Sequence, residues 1–143
     1  MSAISLVLPT LNGESELPGL LETLGAQTRP AGEIVVVDSS SDDNTCEVAA
    51  SYPGVRVVRI ARDEFNHGLT RDFALRQTTG DYVAFMTQDA VPANGRYLEN
   101  LVAPLDKDPL VALVSGRQLP KPDARRFEQL VREFNYPAES NVR

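Results

Sequence analysis

The sequence predicts an α/β protein, a three-layer α/β/α sandwich with a mostly parallel sheet. Short apolar runs typical of buried strands recur along the chain, and segments with the spacing of amphipathic helices separate them. The chain has 143 residues, of which 42% are hydrophobic and 24% charged, as is ordinary for a globular domain. We therefore expect residues 1–143 to form one domain.

Five apolar runs are predicted to be strands. The first two cover residues 4–8 and 34–37, and the second of these is continuously aliphatic, as in strands that are buried on both faces. The other three cover residues 55–60, 82–86 and 110–114. Strands that alternate with helices form right-handed βαβ units, which predicts that most of these strands lie parallel.

The segments between the strands are predicted to be helices. Three have apolar residues at positions i, i+3, i+4 and i+7, namely Leu17, Leu20, Leu21 and Leu24; Leu98, Leu101, Val102 and Leu105; and Phe127, Leu130, Val131 and Phe134. A short helix through Ala50 has N-cap candidates in residues 41–43. A further helix has Leu69 and Phe73 on one face and is closed by Gly80.

Charge and composition exclude several classes of protein. The net charge of −6 argues against a nucleic-acid partner, and the single cysteine, Cys46, excludes an intrachain disulfide and a cysteine zinc site. No run approaches the roughly 18 apolar residues that a transmembrane segment needs. We therefore expect a cytoplasmic protein. A partner or a further segment of the chain would be needed to hold it at the inner face of the membrane.

Polar loops directly follow three of the predicted strands. They cover residues 9–13, 38–42 and 87–89. Because ligands bind beyond the carboxyl ends of the strands in open parallel sheets, we expect these loops to converge along one edge. The chain contains no Gly-x-Gly-x-x-Gly fingerprint and no P-loop pattern, which argues against two other kinds of nucleotide site.

Three side chains in these loops have chemistry suited to a nucleotide. Asp38 can accept from a ribose hydroxyl or a base imide, and Thr10 can offer its hydroxyl to the same ligand. Asp89 is a hard oxygen ligand, suited to Mg²⁺ or Mn²⁺ that bridges a diphosphate. Such a metal would also stabilise the negative charge on a departing nucleotide diphosphate. Taken singly, Asp38 could be a turn residue and Asp89 a solvated one, so the prediction depends on the convergence of all three loops.

Four motifs in sequence order resemble the family 2 glycosyltransferases with the GT-A fold. They are Pro-Thr-x-Asn at residues 9–12, Val-Val-Asp followed by serines at 36–42, Asn-x-Gly with Arg-Asp at 66–72, and Gly-Asp-Tyr-Val leading to Thr-Gln-Asp at 80–89. The family's Asp-x-Asp metal motif has Thr87 in place of its first aspartate, which leaves Asp89 as the carboxylate ligand. The resemblance covers nearly the whole chain.

The resemblance implies an inverting glycosyltransferase that moves a sugar from a nucleotide-diphosphate sugar to an acceptor hydroxyl with the help of Mg²⁺ or Mn²⁺. It implies Asp89 as the metal ligand. The donor-binding residues that it implies are Pro9, Thr10, Asn12, Asp38, Ser40, Arg71 and Gln88. For Arg71, the alternative is a salt bridge to Asp72 or another carboxylate, and we interpret His67 as a structural residue that orients the loop before its helix.

Residues 87–90, 116–118 and 134–137 resemble the rhamnosyltransferase-like branch of the family. This branch implies a dTDP- or UDP-sugar donor, with rhamnose as a candidate sugar, and a saccharide or lipid-linked acceptor in polysaccharide synthesis. The general base of the family lies late in the domain, and nothing after Asn135 matches it. The polar tail 135–143 has no stop signal, so we expect a domain truncated at its C-terminus, with no catalytic base assigned.

Two other functions compete with this interpretation. A non-catalytic module that binds a nucleotide sugar or a partner would share the donor loops and lack the acceptor half. A sugar nucleotidyltransferase would share the fold class, but it should carry a glycine-rich N-terminal loop followed by a basic residue, which residues 11–14 do not provide.

Overall fold

The computed structural model describes residues 2–139 and contains a parallel sheet with helices on both faces. The strands are β1 (Ile4–Thr10), β2 (Glu33–Asp38), β3 (Val55–Arg59) and β4 (Tyr82–Phe85). The helices are α1 (Leu17–Gly25), α2 (Thr45–Ala50), α3 (His67–Leu75), α4 (Tyr97–Lys107) and α5 (Arg126–Asn135). Among these helices, none is long and apolar enough to cross a membrane. The predicted α/β/α class is confirmed.

The alternation of side chains along the strands builds a core on each face of the sheet. Leu6 and Leu8 of β1 belong to the larger cluster, together with residues of α1, α2 and α4. Val7, between them, belongs to a smaller cluster that contains Ala74 of α3. The four predicted leucines of α1 are all buried, because their spacing forms a single apolar stripe.

The order of strands in the sheet is β3-β2-β1-β4, with every neighbouring pair parallel. The chain moves outward from β1 to β3 and then returns to the other side of β1 to form β4. The direction of progress along the sheet therefore reverses between β1 and β4. Such a switch point leaves a crevice at the carboxyl ends of the two strands, where open α/β sheets bind their ligands.

The predicted apolar face of α3 is wrong. Leu69 is 70% exposed, whereas Thr70 and Ala74 are buried against the sheet. The start of the helix sets this orientation, since the Asn66 side chain accepts hydrogen bonds from the main-chain N–H groups of residues 68 and 69. Small side chains on the buried face also allow α3 to approach the sheet closely. The helix ends at Leu75, before the predicted stop at Gly80.

The predicted fifth strand is also wrong, because residues 110–114 form no strand within the described part of the chain. Leu110 and Leu113 are 89% and 86% exposed. The segment begins with a turn that Asp108 stabilises. The Asp108 side chain accepts a hydrogen bond from the N–H of Leu110, and the Asp108 main-chain carbonyl accepts one from the N–H of Val111. A short apolar run cannot by itself distinguish a strand from such a segment.

The last predicted helix is present as α5, but its apolar side chains are exposed. Phe134, for example, is 87% exposed, and Phe127 is also on the surface. The final four residues of the predicted polar tail, 140–143, lie outside the described residues.

Gly80 precedes β4 at a point where a side chain has no room. A Cβ there would stand 2.7 Å from the main-chain nitrogen of Ser5 and 2.6 Å from its Oγ. Since main-chain atoms of β1 cannot give way cheaply, we expect Gly80→Ala to lower the free energy of unfolding by about 2 kcal/mol or more in urea titrations.

The matched control is Gly19→Ala on the exposed side of α1, where no atom lies within 4 Å of the added Cβ. Alanine favours helix over glycine, so this change should raise the free energy of unfolding by about 0.5–1 kcal/mol. Equal stabilities of the two variants would contradict the close packing inferred at Gly80.

Candidate functional site

A crevice of about 230 Å³ lies at the carboxyl ends of β1 and β4, at the switch point of the sheet. Four of the predicted site residues line it: Pro9, Thr10, Arg71 and Gln88. The other four lie at the same strand ends or in the loops after them but outside the lining: Asn12, Asp38, Ser40 and Asp89. The predicted convergence of the loops therefore occurs, with half of the predicted residues facing a common space.

Six further residues line the crevice without having been predicted as ligand-binding. They are Leu11, Ser39, Arg62, Phe65, His67 and Thr87. Arg62 begins a 3₁₀ turn just after β3. The rule that ligands bind beyond the carboxyl ends of the strands would have identified it, if we had applied that rule to β3 as well. His67 is the first residue of α3, and its ring meets the ring of Phe65 edge-on at 5.0 Å.

Two guanidinium groups line the crevice, and one of them, that of Arg62, also forms an ion pair with Asp42 at 2.7 Å. Arg71 Nη1 donates to the carbonyl of His67 at 2.7 Å, and Arg62 Nη2 donates to the carbonyl of Ser40 at 2.7 Å. Asp72, the alternative partner of Arg71, pairs with Arg76 instead. Because a guanidinium carries five N–H donors, both arginines retain donors for an anionic ligand such as a diphosphate.

The hydroxyl oxygen of Thr10 is buried and has no hydrogen-bond partner among the described residues. A buried hydroxyl without a partner costs about 1–3 kcal/mol. Since Thr10 lines the crevice, a polar group that enters this space is the available source of a partner. This feature is typical of a site that is completed by its ligand.

Asp38 is fully buried at the end of β2 and supports the loop that follows. Its Oδ1 accepts from the Ser41 hydroxyl, and its Oδ2 accepts from the Ser41 main-chain N–H at 2.9 Å. Arg59 Nε lies 3.4 Å from the same Oδ2. Direct contact between Asp38 and a bound base or ribose stays a prediction, whereas its support of the loop is evident from these contacts.

Burial raises the pKa of the Cys46 thiol to about 11, and a hydrogen bond to Asp38 adds to the effect. The thiol therefore stays protonated at neutral pH. A reactive cysteine would need a lowered pKa, so the half-buried thiol of Cys46 is not a candidate nucleophile.

The loops after β1 and β2 are bound to each other. Asn12 donates its main-chain N–H to the Ser41 hydroxyl at 2.8 Å, and its side-chain oxygen accepts from the N–H of Asp42 at 2.9 Å. Asn12 and Ser40 both have positive φ angles, of 50° and 59°. Such angles are uncommon for residues other than glycine, so these contacts hold both loops in a costly conformation beside the crevice.

Asp89 is exposed and directly follows Gln88, which lines the crevice. Residues 2–139 contain no group of three or more histidine, cysteine, aspartate or glutamate side chains that could hold a metal ion. One carboxylate fits Mg²⁺ or Mn²⁺ only where phosphate oxygens and water supply the remaining ligands, an arrangement that is usual for Mg²⁺ with nucleotides.

Comparison with known proteins identifies relatives of this chain. Residues 5–141 match the sequence model of Glycosyl transferase family 2. The O-antigen chain rhamnosyltransferase RfbN of Salmonella typhimurium is 38% identical over 141 residues, 98% of this chain and 45% of the relative. WbaN of Salmonella anatum, of the same description, is 37% identical over 100% of this chain and 45% of the relative. The chain thus spans less than half the length of these curated relatives.

Solved structures with similar folds include nucleotide complexes. The mannosyltransferase PcManGT of Pyrobaculum calidifontis, in complex with GDP-Man and Mn²⁺, has a TM-score of 0.66 at 30% identity and covers 77% of this chain and 34% of that one. TarS of S. aureus in complex with UDP has a TM-score of 0.61 at 31% identity and covers 73% and 32%.

The contacts of Asp38 lead to a prediction about stability. Asp38→Ala would remove the buried carboxylate that accepts from the Ser41 hydroxyl and the Ser41 N–H and that pairs with Arg59. We therefore expect the free energy of unfolding to fall by about 2–3 kcal/mol. Asp42→Ala is the control, because Asp42 forms an exposed ion pair with Arg62, worth about 0–1 kcal/mol. Equal losses in urea titrations of the two variants would contradict the supporting role of Asp38.

Proposed function

The chain belongs to glycosyl transferase family 2, and we propose that its crevice binds the nucleotide part of a nucleotide-diphosphate sugar whose sugar is transferred to an acceptor hydroxyl. The GT-A architecture of the family is the one that the solved neighbours share with this chain. Because the curated relatives are more than twice as long, the activity of the whole protein is part of this proposal.

The observation that carries the proposal is the make-up of the crevice at the switch point. Pro9 and Phe65 offer apolar surfaces on which a flat base can lie, and Thr10 offers a hydroxyl without a partner. Arg62 and Arg71 can donate to the oxygens of the donor. A volume of about 230 Å³ is below the roughly 300–1,000 Å³ of pockets that enclose whole drug-sized ligands. The crevice therefore suits a nucleoside, with the diphosphate and sugar at its mouth.

Asp89 would hold the metal at this mouth, together with oxygens of the diphosphate. A bound Mg²⁺ or Mn²⁺ neutralises the charge that develops on the departing nucleotide diphosphate. The Mn²⁺ in the complex of the mannosyltransferase PcManGT supports the use of a divalent metal here. Asp89 would contribute one carboxylate ligand, and phosphate oxygens and water would supply the others.

For the donor, we propose a dTDP- or UDP-sugar, with rhamnose as the first sugar to test. The support is the identity to the two O-antigen chain rhamnosyltransferases and the UDP bound to TarS. The acceptor would be a saccharide or lipid-linked saccharide, and the reaction would take place in the cytoplasm. The acceptor hydroxyl forms a bond to the anomeric carbon as the bond to the diphosphate breaks, and a general base, not assigned among the described residues, takes the hydroxyl proton.

Nucleotide binding tests the role of Arg71. We expect Arg71→Met to weaken the binding of dTDP or UDP at least about tenfold in calorimetric titrations, because charge-assisted hydrogen bonds to the ligand are lost. Arg76→Met is the control, since Arg76 caps the same helix and pairs with Asp72 outside the crevice. Equal affinities of both variants and the unmodified chain would contradict the proposed site.

The metal dependence of binding tests Asp89. Mn²⁺ should tighten nucleotide binding to the unmodified chain, and Asp89→Asn should remove most of this gain while leaving metal-free binding nearly unchanged. Asp81→Asn makes the same change of charge just before the amino end of β4, where the Asp81 carboxylate accepts from the main-chain N–H of Ala3, and this variant should keep the gain. A full Mn²⁺ effect in Asp89→Asn would contradict Asp89 as the ligand.

A further inference from the structure

The side chain of Gln88 forms a two-bond pairing with the main chain of Leu11. Its Oε1 accepts from the Leu11 N–H at 2.8 Å, and its Nε2 donates to the Leu11 carbonyl at 3.0 Å. The carboxamide thus satisfies both main-chain groups of Leu11, as a neighbouring strand would. This pairing joins the loop after β1 to the loop after β4 across the crevice.

Pro9 explains why a side chain is needed there. The register between β1 and β4 ends at Val7 and Phe85, after which the N–H of Met86 donates to the carbonyl of Val7 at 3.0 Å. Main-chain groups of every second residue in a strand point to the same neighbour, so the next position of β1 directed at β4 is Pro9. Proline has no N–H, and the ladder stops at this residue. Leu11 is the following position on that side, and Gln88 meets it.

The interruption of the ladder at Pro9 borders the crevice, since Pro9, Leu11 and Gln88 are among the residues that line it. Gln88 also lies close to Gly13 in this loop: a Cβ on Gly13 would stand 3.2 Å from Gln88 Oε1. The carboxamide is therefore held in place by contacts on the β1 side, and Asp89 is the next residue along the chain.

We propose that Gln88 is a positioning residue that replaces the ladder hydrogen bonds lost at Pro9 and so fixes the width of the crevice between Thr10 and Thr87. It acts on donor binding through Leu11, with its carboxamide engaged by the main chain rather than by the donor. The consequence for donor affinity rests on the proposed function, whereas the pairing itself can be measured without any nucleotide.

Two substitutions distinguish the effect of the hydrogen bonds between Gln88 and Leu11 from the effect of the volume of the side chain. Gln88→Met keeps the length of the side chain and removes both hydrogen bonds. In Gln88→Glu, one carboxylate oxygen can still accept from the Leu11 N–H. The other carboxylate oxygen would face the Leu11 carbonyl without a hydrogen to donate, so the second bond is lost. When protonated, the glutamic acid has one acceptor and one donor and can restore both bonds. Gln77→Met, on the surface after α3, is the control for the same change of side chain.

The first measurement is hydrogen exchange of the Leu11 amide, followed by NMR in the absence of nucleotide. Exchange should be about tenfold faster in Gln88→Met than in the unmodified chain, because one hydrogen bond to the amide is lost. In Gln77→Met it should not change. Unchanged Leu11 exchange in Gln88→Met would overturn the pairing.

The second measurement is the affinity for dTDP and UDP relative to the unmodified chain at each pH from 8 to 5.5. We expect Gln88→Met to bind about tenfold more weakly at every pH. The deficit of Gln88→Glu should shrink as the pH falls, because the protonated acid can restore both bonds to Leu11 and also loses its repulsion of the phosphates. Leu11 exchange in Gln88→Glu, relative to the unmodified chain at the same pH, separates the two effects: it should approach the unmodified value as the pH falls only if the pairing is restored.

The outcomes separate the two proposals. Faster Leu11 exchange with unaltered nucleotide affinity would overturn the positioning role of Gln88 and leave the proposed function standing. An unmodified chain that binds neither nucleotide would overturn the proposed function, and with it the effect on donor affinity, even where Leu11 exchange responds as expected.

Discussion

The candidate site depends on an asymmetry in the pairing of β1. On one side β1 remains in register with β2 as far as Thr10, and on the other it remains in register with β4 only as far as Val7. The difference arises at Pro9, which cannot donate to the ladder. Because the strand order also reverses between β1 and β4, the early end of this pairing becomes a crevice with fixed walls.

Buried hydrogen bonds hold the rim of this crevice in one conformation. Asp38 is bound to Ser41, and the Ser41 hydroxyl in turn accepts from the main chain of Asn12, so the loops after β2 and β1 cannot move independently. The positive φ angles of Asn12 and Ser40 are maintained by this network. Loops that are ordered before a ligand arrives lose less entropy on binding it, which links the stability of this network to affinity.

The sequence predicted the features that depend on local pattern and failed where tertiary contacts decide. The leucine stripe of α1, the aliphatic run of β2 and the family motifs led to the correct fold class and family, and strand-end logic located the crevice. The buried face of α3 was missed because it consists of small side chains, Thr70 and Ala74, and the helix starts at the Asn66 cap, neither of which follows from hydrophobic spacing. The hydrogen bond between Asp38 and Ser41 joins residues three positions apart, and the pairing of Gln88 with Leu11 joins residues 77 positions apart. Hydrophobic periodicity carries no information about such polar contacts.

The most direct test of donor binding at the switch point is an NMR titration of the chain with dTDP and UDP in the presence of Mg²⁺. Amide signals of Thr10, Leu11, Ser39 and His67 should shift together and saturate with a single affinity. Shifts confined to a second apolar groove, at the other end of the sheet around Leu24 and Tyr52, would contradict a nucleotide site at the ends of β1 and β4. So would the absence of any shift at saturating nucleotide.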